Sequence, residues 1–450
     1  MSLLKHCFRS YEDALAYFYT FHRDGLPAAA RAPITVALAH QLGADEPLKS
    51  DRIWQITGTN GKGSTGAYLN LFATSTGHKT IWVSSPHMNS VRERIRLDGV
   101  PLSKGDFVEL MERATPVLER ARATDLHPPP TTIIVLLALL AHTALGPNAY
   151  GIYEVGSGGL RDSTNVFPRS IVGLTSVAED HLEQFGGTLE SLMIEKLGLC
   201  SPGGTLVYQQ QRQSLGALLE NYCCERSIGT VKVCEIDRDE MRRGLNGVML
   251  SGEWQADNAA LAYRMFAQLH EAELGKVASS VGTRRAFIAG RLEERSWQHG
   301  TVLLDGAHNV PAVECLLRHL TLTRPPGAAK WIGVVGISCT KDWRQMLDRV
   351  AAANIFEAVV VTRATRPRGV DPAELSEYIS GIACVPIISH PSLRSTLVWA
   401  RARAHRKLLI FGSLLLLADF DRALHAIGCG RDAAPIEELD PEQPWMLPLC

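Results

Sequence analysis

The chain has 450 residues, too many for a single hydrophobic core of ordinary size, so we expect two or three domains. Hydrophobic residues make up 46% and charged residues 21%, a balance typical of a soluble globular protein. The formal net charge of −1 removes any electrostatic reason to expect a nucleic acid or an anionic membrane as partner.

Neither a signal peptide nor a membrane span is indicated. Residues 1–10 lack an apolar stretch, and the longest apolar run, residues 133–141, is too short to cross a bilayer and predicts a buried helix. The ten cysteines are scattered without a Cys-x-x-Cys pair or a zinc-site spacing, as is typical of reduced thiols in the cytosol. We expect a cytoplasmic, monomeric protein with no membrane or nucleic-acid partner.

Short apolar runs rich in β-branched residues alternate with helical patterns along most of the chain. The candidate strands, in chain order, are residues 53–56, 80–83, 151–155, 171–175, 205–208, 302–305, 332–335, 358–362, 385–389 and 408–411. The helical segments between them include residues 63–74, 104–122, 189–197, 255–268 and 311–320. This alternation predicts an α/β protein with mostly parallel sheets covered by helices on both faces.

A polar, charge-rich stretch separates the two series of strands. We therefore predict an N-terminal domain over residues 1–286, a hinge or linker over 287–300 and a smaller α/β domain over 301–430. Residues 431–450, rich in proline and acidic residues, are predicted to form a loosely attached tail.

A glycine-rich turn follows the first candidate strand. Residues 53–65 read IWQITGTNGKGST, and such a turn directs backbone N–H groups and a helix N-terminus at an anion. Lys62 would reach the outer phosphates of a nucleotide, and the hydroxyl of Ser64 could bind Mg²⁺. A glycine separates these two residues, so the strict pattern G-x4-G-K-[ST] is not met, and the turn alone also fits a plain strand-to-helix connection.

The string TGTNGKGST resembles the phosphate loop of the Mur-ligase superfamily, in the branch of folylpolyglutamate synthase and dihydrofolate synthase. Further blocks similar to that family follow in its order: Ser85-Pro86-His87, residues 92–95 (RERI), residues 154–165 (EVGSGGLRDSTN), Asp180-His181, Glu195-Lys196, residues 258–262 (NAALA), 290–293 (GRLE), 305–309 (DGAHN), Lys341-Asp342, Pro367-Arg368 and Gly412-Ser413. The resemblance covers roughly residues 10–425. It implies an ATP-binding, P-loop-type domain with a mostly parallel sheet, the central domain of Mur ligases, followed by a Rossmann-like ligase domain.

The family's chemistry explains why such residues would be needed. Amide formation from a carboxylate requires a better leaving group than water, and ATP supplies one by phosphorylating the carboxylate. Cations and precise positioning must neutralise the transferring phosphoryl group, a role that suits Lys62 and Mg²⁺. The nucleotide-binding residues implied by the resemblance are Thr59, Asn60, Gly61, Lys62, Gly63, Ser64, Asn258, Arg291, Asp305 and His308.

Two metal sites are expected. Ser64 and Glu154 are assigned to the first Mg²⁺. The resemblance makes Ser85, Glu154 and His181 ligands of a second metal, which would bridge the γ-phosphate and the substrate carboxylate. His181 follows a candidate strand closely, so it can lie at the carboxyl edge of the sheet, where ligands bind in open α/β folds.

Lys196 has two interpretations. Beside Glu195 on a predicted helix, it looks like a solvent-exposed lysine in a surface pair. The resemblance instead implies carbamylation by CO₂, which requires a neutral amine and therefore a pKa lowered by burial. With Lys62 and His181, Lys196 completes the expected catalytic set.

The chain departs from the family pattern where the substrate is concerned. Ile134 stands where the family has a glutamate, Arg161 is displaced by one position, and Trp254 replaces a histidine. An isoleucine cannot accept a hydrogen bond or pair with a cation, as a carboxylate can. The leading prediction is a ligase that joins glutamate to a folate- or pteroate-type acceptor, releasing ADP and phosphate. A ligase recruited to a non-folate metabolite and a nucleotide-binding regulator without ligase activity are the alternatives.

Overall fold

The computed structural model describes residues 8–22, 26–245, 247, 250–282, 284–297, 300–364, 369–403 and 407–428. The predicted tail at 431–450 and the Pro367-Arg368 pair lie outside these residues. The chain divides into two compact units. The first comprises Met1–His87, Arg92–Met249 and Gln255–Phe287, and the second Met88–Val91, Leu250–Trp254 and Ile288–Cys450. Two short stretches of the predicted N-terminal domain thus belong to the second unit, because spatial contacts and not chain order define a unit.

A mostly parallel sheet forms the centre of the first unit. Its strands are β1 (Ile53–Thr57), β2 (Thr80–Val83), β3 (Ile95–Leu97), β4 (Val100–Pro101), β5 (Tyr150–Glu154), β6 (Ile171–Leu174), β7 (Thr205–Tyr208) and β8 (Gly229–Lys232). The order across this eight-stranded sheet is β4-β3-β2-β5-β1-β6-β7-β8, and β3 runs antiparallel to both of its neighbours while the other pairs are parallel. Every residue of β1 is buried, and Ile56 lies opposite Glu154 of β5. The central strands therefore bring their carboxyl ends to one edge.

Helices cover this sheet on both sides. They are α1 (Tyr11–Tyr19), α2 (Arg31–Leu42), α3 (Lys62–Ser75), α4 (Lys104–Ala123), α5 (Pro130–Leu145), α6 (Leu189–Leu197), α7 (Gln213–Glu225), α8 (Glu235–Gly244), α9 (Gln255–His270) and α10 (Leu274–Val281). Helix α4 begins at a capping box formed by Ser103 and Asp106, which satisfies two of the amide groups at its start. Helices α3 and α9 pack side by side. Their first turns meet through Gln255 and Ser64, so both helices begin at the carboxyl edge of the sheet.

A second, mostly parallel sheet forms the centre of the second unit. Its strands are β9 (Glu293–Trp297), β10 (Gly300–Leu304), β11 (Trp331–Val335), β12 (Phe356–Thr362), β13 (Ile387–His390) and β14 (Lys407–Phe411), in the order β13-β12-β11-β14-β10-β9. Its helices are α11 (Val310–Thr323), α12 (Trp343–Ala352), α13 (Pro372–Ser380), α14 (Leu393–Ala402) and α15 (Leu414–Ala426). Leu409 and Phe411 enter one hydrophobic core, whereas Leu408 and Ile410 enter another. This alternation along β14 gives the sheet two buried faces.

The predicted fold class is confirmed: a mostly parallel α/β unit is followed by a smaller α/β unit. The strands that the sequence analysis did not name, β3, β4, β8 and β9, lie at or near sheet edges and are either very short or rich in polar residues. Most of β8 is exposed, and β9 carries four charged or polar residues before Trp297. The linker predicted at 287–300 is corrected in part, since Glu293–Trp297 forms the antiparallel edge strand β9 beside β10.

The longest apolar run, residues 133–141, lies within α5 and is buried along its whole length, as predicted. Among the helices that the structure describes, none is both long enough and apolar enough to span a membrane.

Candidate active site

The glycine-rich turn connects the end of β1 to the start of α3. Gly58 has a φ of 141° and Gly61 a φ of 94°, a region of backbone space that residues with a Cβ rarely adopt. A Cβ on Gly58 would lie 1.7 Å from Oγ1 of Thr175, and one on Gly61 would lie 2.4 Å from Oδ1 of Asn258. Both glycines are therefore required by backbone conformation and by the close approach of neighbouring side chains.

Thr59 holds the turn against the segment that follows β6. Its backbone N–H donates to the carbonyl of Ser176 at 2.7 Å, and its hydroxyl donates to the carbonyl of Ala178 at 3.1 Å. Asn60 forms a β-bridge with the same serine. The turn is thus fixed before any ligand arrives, a requirement for binding an anion through backbone groups.

Two lysines converge on the carbonyl of Gly58. Lys62 Nζ donates to this carbonyl and to that of Thr59, both at 3.1 Å. Lys196 Nζ reaches the same Gly58 carbonyl at 2.9 Å, from the last turn of α6. The structure therefore places two of the three predicted catalytic residues at the phosphate loop.

Lys196 is buried, with 4% of its surface exposed. Burial lowers the pKa of Lys196 to about 7, and the neighbouring Lys62 cation acts in the same direction, against the carboxylates of Asp180, Glu195 and Asp162. Near neutral pH a large fraction of this amine is uncharged. The interpretation of Glu195 and Lys196 as a solvent-exposed pair is wrong, because α6 turns both side chains inward.

Arg161, the displaced arginine, fixes the residue that precedes Lys196. Its backbone N–H and its Nε donate to the carboxylate of Glu195 at 3.0 and 2.9 Å. The backbone N–H of Leu160 donates to the Glu195 carbonyl at 2.8 Å, and a Cβ on Gly159 would come within 2.6 Å of that oxygen. The 158–161 turn therefore packs tightly against α6 at the start of its last turn.

A chain of side-chain amides crosses the first turns of α3 and α9. Gln209 donates to Oδ1 of Asn258 at 3.2 Å, Asn258 donates to Gln255 at 3.0 Å, and Gln255 donates to the hydroxyl of Ser64 at 3.3 Å. Ser64 and Asn258 are 2% and 4% exposed. The predicted nucleotide ligand Asn258 and the predicted metal ligand Ser64 thus belong to one hydrogen-bonded network.

Glu154 ends β5 at the same edge of the sheet and is buried. Arg96 is buried near it: burial lowers the pKa of this guanidinium, and the charges of Glu93 and Glu154 act in the opposite direction. Ser85 is close to the turn after β5, since a Cβ on Gly156 would lie 3.6 Å from the Ser85 hydroxyl. The structure therefore brings Glu154 and Ser85 to neighbouring positions.

His181 precedes a short 3₁₀ turn at 182–185 and has a left-handed backbone conformation, with a φ of 55°. Its Nε2 lies 3.7 Å from a carboxylate oxygen of Asp180, and its Nδ1 lies 3.4 Å from the side-chain nitrogen of Gln184. A non-glycine residue in this conformation is uncommon and is concentrated at functional sites.

In the second unit, Asp305 is the centre of a separate polar group. One carboxylate oxygen accepts the backbone N–H of Leu292 and the other that of Ala307, each at 2.9 Å. Burial raises the pKa of Asp305, while the Arg291 guanidinium and these two N–H groups oppose the rise. The carboxylate is thus held rigidly at the end of β10.

Arg291 and His308 flank the same segment. A Cβ on Gly306 would lie 2.3 Å from Nη1 of Arg291, and Nδ1 of His308 lies 2.7 Å from the Gly306 carbonyl. The three residues predicted in this unit are therefore neighbours around one turn.

The chain is similar in sequence to proteins of known function. Residues 290–414 match the family "Mur ligase, glutamate ligase domain". The chain is 28% identical over 331 residues to a dihydrofolate synthase/folylpolyglutamate synthase of Bacillus subtilis, with 69% of this chain and 76% of that protein covered. It is 29% identical over 379 residues to the protein of the same name from Mycobacterium tuberculosis, with 76% and 75% covered.

The fold agrees with these matches. The crystal structure of Mycobacterium tuberculosis folylpolyglutamate synthase complexed with ADP and AMPPCP superposes with a TM-score of 0.78 and 21% identity, covering 94% of this chain and 100% of the other. Residues 290–414 therefore form a Mur-ligase glutamate ligase domain, and the chain is homologous to folylpolyglutamate synthases and dihydrofolate synthases. In this homologue of the synthases the phosphate loop, Lys196 and Asn258 form one connected group.

Three glutamines at this edge of the sheet, Gln209, Gln211 and Gln255, were given no role from the sequence. Gln255 appeared only as the first residue of the predicted helix 255–268, and Gln209 and Gln211 did not appear. Gln211 accepts the backbone N–H of Val177 at 3.1 Å and donates to the Thr175 carbonyl at 3.0 Å. The available signal was position, because a run of polar residues directly after strand 205–208 must lie at the carboxyl edge.

The glycine requirement leads to a first prediction. We expect Gly58→Ala to destabilise the folded protein by about 2–4 kcal/mol, since the Cβ would overlap Thr175 and the positive φ would be strained. Thermal unfolding of the full chain measures this loss.

Gly77→Ala is the matched control for this prediction, because Gly77 also has a positive φ, of 90°, but a Cβ added there would meet no atom within 4 Å. It should carry the cost of backbone strain alone. Equal melting temperatures for the two variants would contradict the steric part of the explanation.

Proposed function

We propose that the protein is an ADP-forming amide ligase that joins the amine of glutamate to the carboxylate of a folate- or pteroate-type acceptor. The observation that carries this proposal is the convergence of Lys62 and Lys196 on the phosphate loop, in a chain of the synthase family. ATP transfers its γ-phosphoryl group to the acceptor carboxylate, and the glutamate amine then displaces phosphate from the acyl-phosphate. ADP and phosphate leave.

The phosphate loop holds the nucleotide in this scheme. The N-terminus of α3 and the backbone N–H groups of the turn face the phosphates, where the partial positive charge of the helix favours an anion. Lys62 exchanges its hydrogen bonds with loop carbonyls for the β- and γ-phosphate oxygens. It thereby neutralises charge on the phosphoryl group as it moves.

The donor set fits Mg²⁺. Hard oxygen ligands suit this ion, and the hydroxyls of Ser64 and Ser85 and the carboxylate of Glu154 are oxygen donors on loops, helix starts and strand ends of the first unit. Ser64 and Glu154 would hold the first ion, and Ser85, Glu154 and His181 the second. Bound Mg²⁺ polarises the phosphoryl oxygens and reduces repulsion between the two anionic substrates.

Carbamylation of Lys196 fits its surroundings. The neutral Nζ attacks CO₂, a C–N bond forms, and one N–H proton is lost to water, leaving a carbamate anion. Burial, the main cause of the lowered pKa of about 7, supplies the neutral amine that this step needs. The product replaces a cation beside Lys62 with an anion, which removes the repulsion between the two lysines.

The roles of Asn258, Arg291, Asp305 and His308 in nucleotide binding remain predictions from the family resemblance. The role of Asn258 is supported by its contact with the phosphate-loop helix through Gln255. For the other three, the support is their common location around the turn that follows β10.

One observation favours a different acceptor. Ile134 is 4% exposed on α5, where the family pattern has a glutamate. A carboxylate in this place could accept a hydrogen bond from a substrate or pair with a cationic side chain, and an isoleucine can do neither. A ligase that uses a non-folate carboxylate is therefore the second candidate.

The test is ADP release by the full chain with Mg·ATP, glutamate and a panel of acceptors that includes dihydropteroate and reduced folates. We expect ADP formation that requires both glutamate and a folate or pteroate compound. ADP formation only with another carboxylate would establish the second candidate. Nucleotide binding without ADP formation for any pair would contradict ligase activity and favour a regulator.

A further inference from the structure

Two histidines and a glutamate meet at the ends of helices α3 and α9. His78 follows α3, His270 is the last residue of α9, and Glu273 lies three residues beyond it. Nε2 of His78 lies 3.1 Å from one carboxylate oxygen of Glu273, and Nδ1 of His270 lies 3.2 Å from the other. One donor atom from each of the three side chains lies within 4.8 Å of the other two.

Aromatic rings fix the buried histidine. The His270 ring stacks on Phe266 with centroids 4.6 Å apart and lies 6.2 Å from the Trp54 ring. Its Nε2 is buried and has no hydrogen-bond partner among the described residues, so no protein group holds a proton on that nitrogen. The tautomer of His270 is therefore set by what is bound at Nδ1.

One side of the cluster is open. The His270 side chain is 5% exposed, whereas those of His78 and Glu273 are 24% and 31% exposed. A small ion can thus reach the group from solvent and retain water on its open side.

We propose that His78, His270 and Glu273 bind a zinc ion, with Nε2 of His78, Nδ1 of His270 and the carboxylate as ligands. Two imidazoles and one carboxylate, with a water molecule in the fourth position, form a set that Zn²⁺ accepts in tetrahedral geometry. The metal takes the place of the protons that the imidazoles now share with Glu273. Imidazole nitrogens favour zinc over Mg²⁺, so the ion that accompanies ATP does not compete for this site.

The site is remote from the phosphate loop. Helix α3 has 14 residues, which at about 1.5 Å per residue places His78 roughly 20 Å from Lys62.

The positive charge of Arg52 opposes the binding of a cation at this site. Its guanidinium lies 5.1 Å from the centre of the Tyr150 ring, which is beside the histidines. The carboxylate of Glu273 compensates for it. Zinc here would join the ends of two adjacent helices and stabilise the first unit without taking part in phosphoryl transfer.

The experiment uses the full chain, freed of metal with a chelator, titrated with zinc chloride in a calorimeter and followed by thermal unfolding. We expect zinc to raise the melting temperature of the wild type. His78→Gln and Glu273→Gln should each weaken zinc binding by ~100-fold or more. Removing a direct ligand of a metal lowers its affinity more than removing a residue that only orients a ligand. His40→Gln is the matched control, because His40 pairs with Asp45 at 3.3 Å but belongs to no cluster of three such groups among the described residues.

Cysteines on the surface contribute equally to all these proteins, so the difference between variants is decisive. Equal zinc affinity in the wild type, His78→Gln and Glu273→Gln would overturn the proposal, as would a wild type whose melting temperature zinc leaves unchanged. Both variants alter partly exposed side chains, so folding is checked simply by their melting temperatures in chelator. ADP formation with Mg·ATP is measured in parallel, so that failure of the ligase proposal and failure of the zinc proposal are distinguished.

Discussion

The Lys62→Ala variant is expected to lose ligase turnover by about 10³- to 10⁵-fold, the range found when a cation that stabilises a transferring phosphoryl group is removed. Lys62 begins α3, and its Nζ already lies over the carbonyls of Gly58 and Thr59, so only a short movement brings it to the phosphates of ATP. Because the charge acts mainly in the transition state, the effect should fall on kcat more than on the KM for ATP. Steady-state ADP release with saturating acceptor and glutamate measures both constants.

Stability must be separated from catalysis in this variant. Removing Lys62 deletes two hydrogen bonds to the loop, which together contribute about 1–3 kcal/mol to the free energy of unfolding. Lys49→Ala is the matched control, because Lys49 is an exposed lysine paired with Asp45 and precedes the amino end of β1, whereas the loop follows the carboxyl end of that strand. If Lys62→Ala folds and retains turnover within about tenfold of the wild type, Lys62 does not neutralise the phosphoryl group.

Lys196→Ala is expected to lower kcat by about 10²- to 10³-fold, the usual effect of removing one preorganised electrostatic group from a site. Short carboxylic acids such as acetate should restore part of this loss, because they supply an anion in the space that the carbamate would occupy. Lys276→Ala, which alters an exposed lysine on α10, should change neither turnover nor the response to acetate. Loss of activity without rescue would leave Lys196 as a positioning residue and contradict the carbamate.

The pH dependence of stability gives an independent measurement on the same residue. The pKa of Lys196 is lowered by burial from 10.5 to about 7 in the folded protein. Between these values the unfolded chain holds a proton that the folded chain has lost, so the free energy of unfolding rises with pH, by up to about 1.4 kcal/mol per unit. Below pH 7 Lys196 is protonated in both the folded and the unfolded state, and burial of its charge destabilises the folded protein by the full amount.

Replacing Lys196 by methionine removes this contribution. In bicarbonate-free buffer, the stability advantage of Lys196→Met over the wild type should therefore be largest at about pH 7 and below, and should shrink towards about pH 10. Urea unfolding at several pH values measures the difference. A difference that stays constant across this range would mean that Lys196 keeps an ordinary pKa in the folded state.

The order of elements was accessible from the sequence, because buried parallel strands are nearly continuous apolar runs and amphipathic helices separate them. Edge strands such as Glu293–Trp297 were not, since they carry charged residues on their exposed sides. The division of the chain into two units was equally hard to predict from the sequence, because spatial contacts define the units. Nothing in the composition of Met88–Val91 indicates that it joins the second unit.

The sequence also identified the chemistry that the chain can perform. The glycine-rich turn with Lys62 predicted a phosphate site, and the resemblance of the ordered blocks through residue 413 to the synthase family implied an ATP-dependent ligase. Lys196 shows where that reasoning ended. Its neighbour is acidic and its helix is short, features typical of a surface residue.

Only the tertiary structure decided that Lys196 is buried beside Lys62 and that Gln209, Asn258, Gln255 and Ser64 form one network. The same holds for His78 and Glu273, which are 195 positions apart in the chain and yet are in contact. Residue types and their spacing specify which groups are available, since they determine local structure and strand order. The burial of a side chain and the charges beside it depend on which helix packs on which strand. That packing therefore determines the pKa of a lysine and the set of ligands that an ion meets.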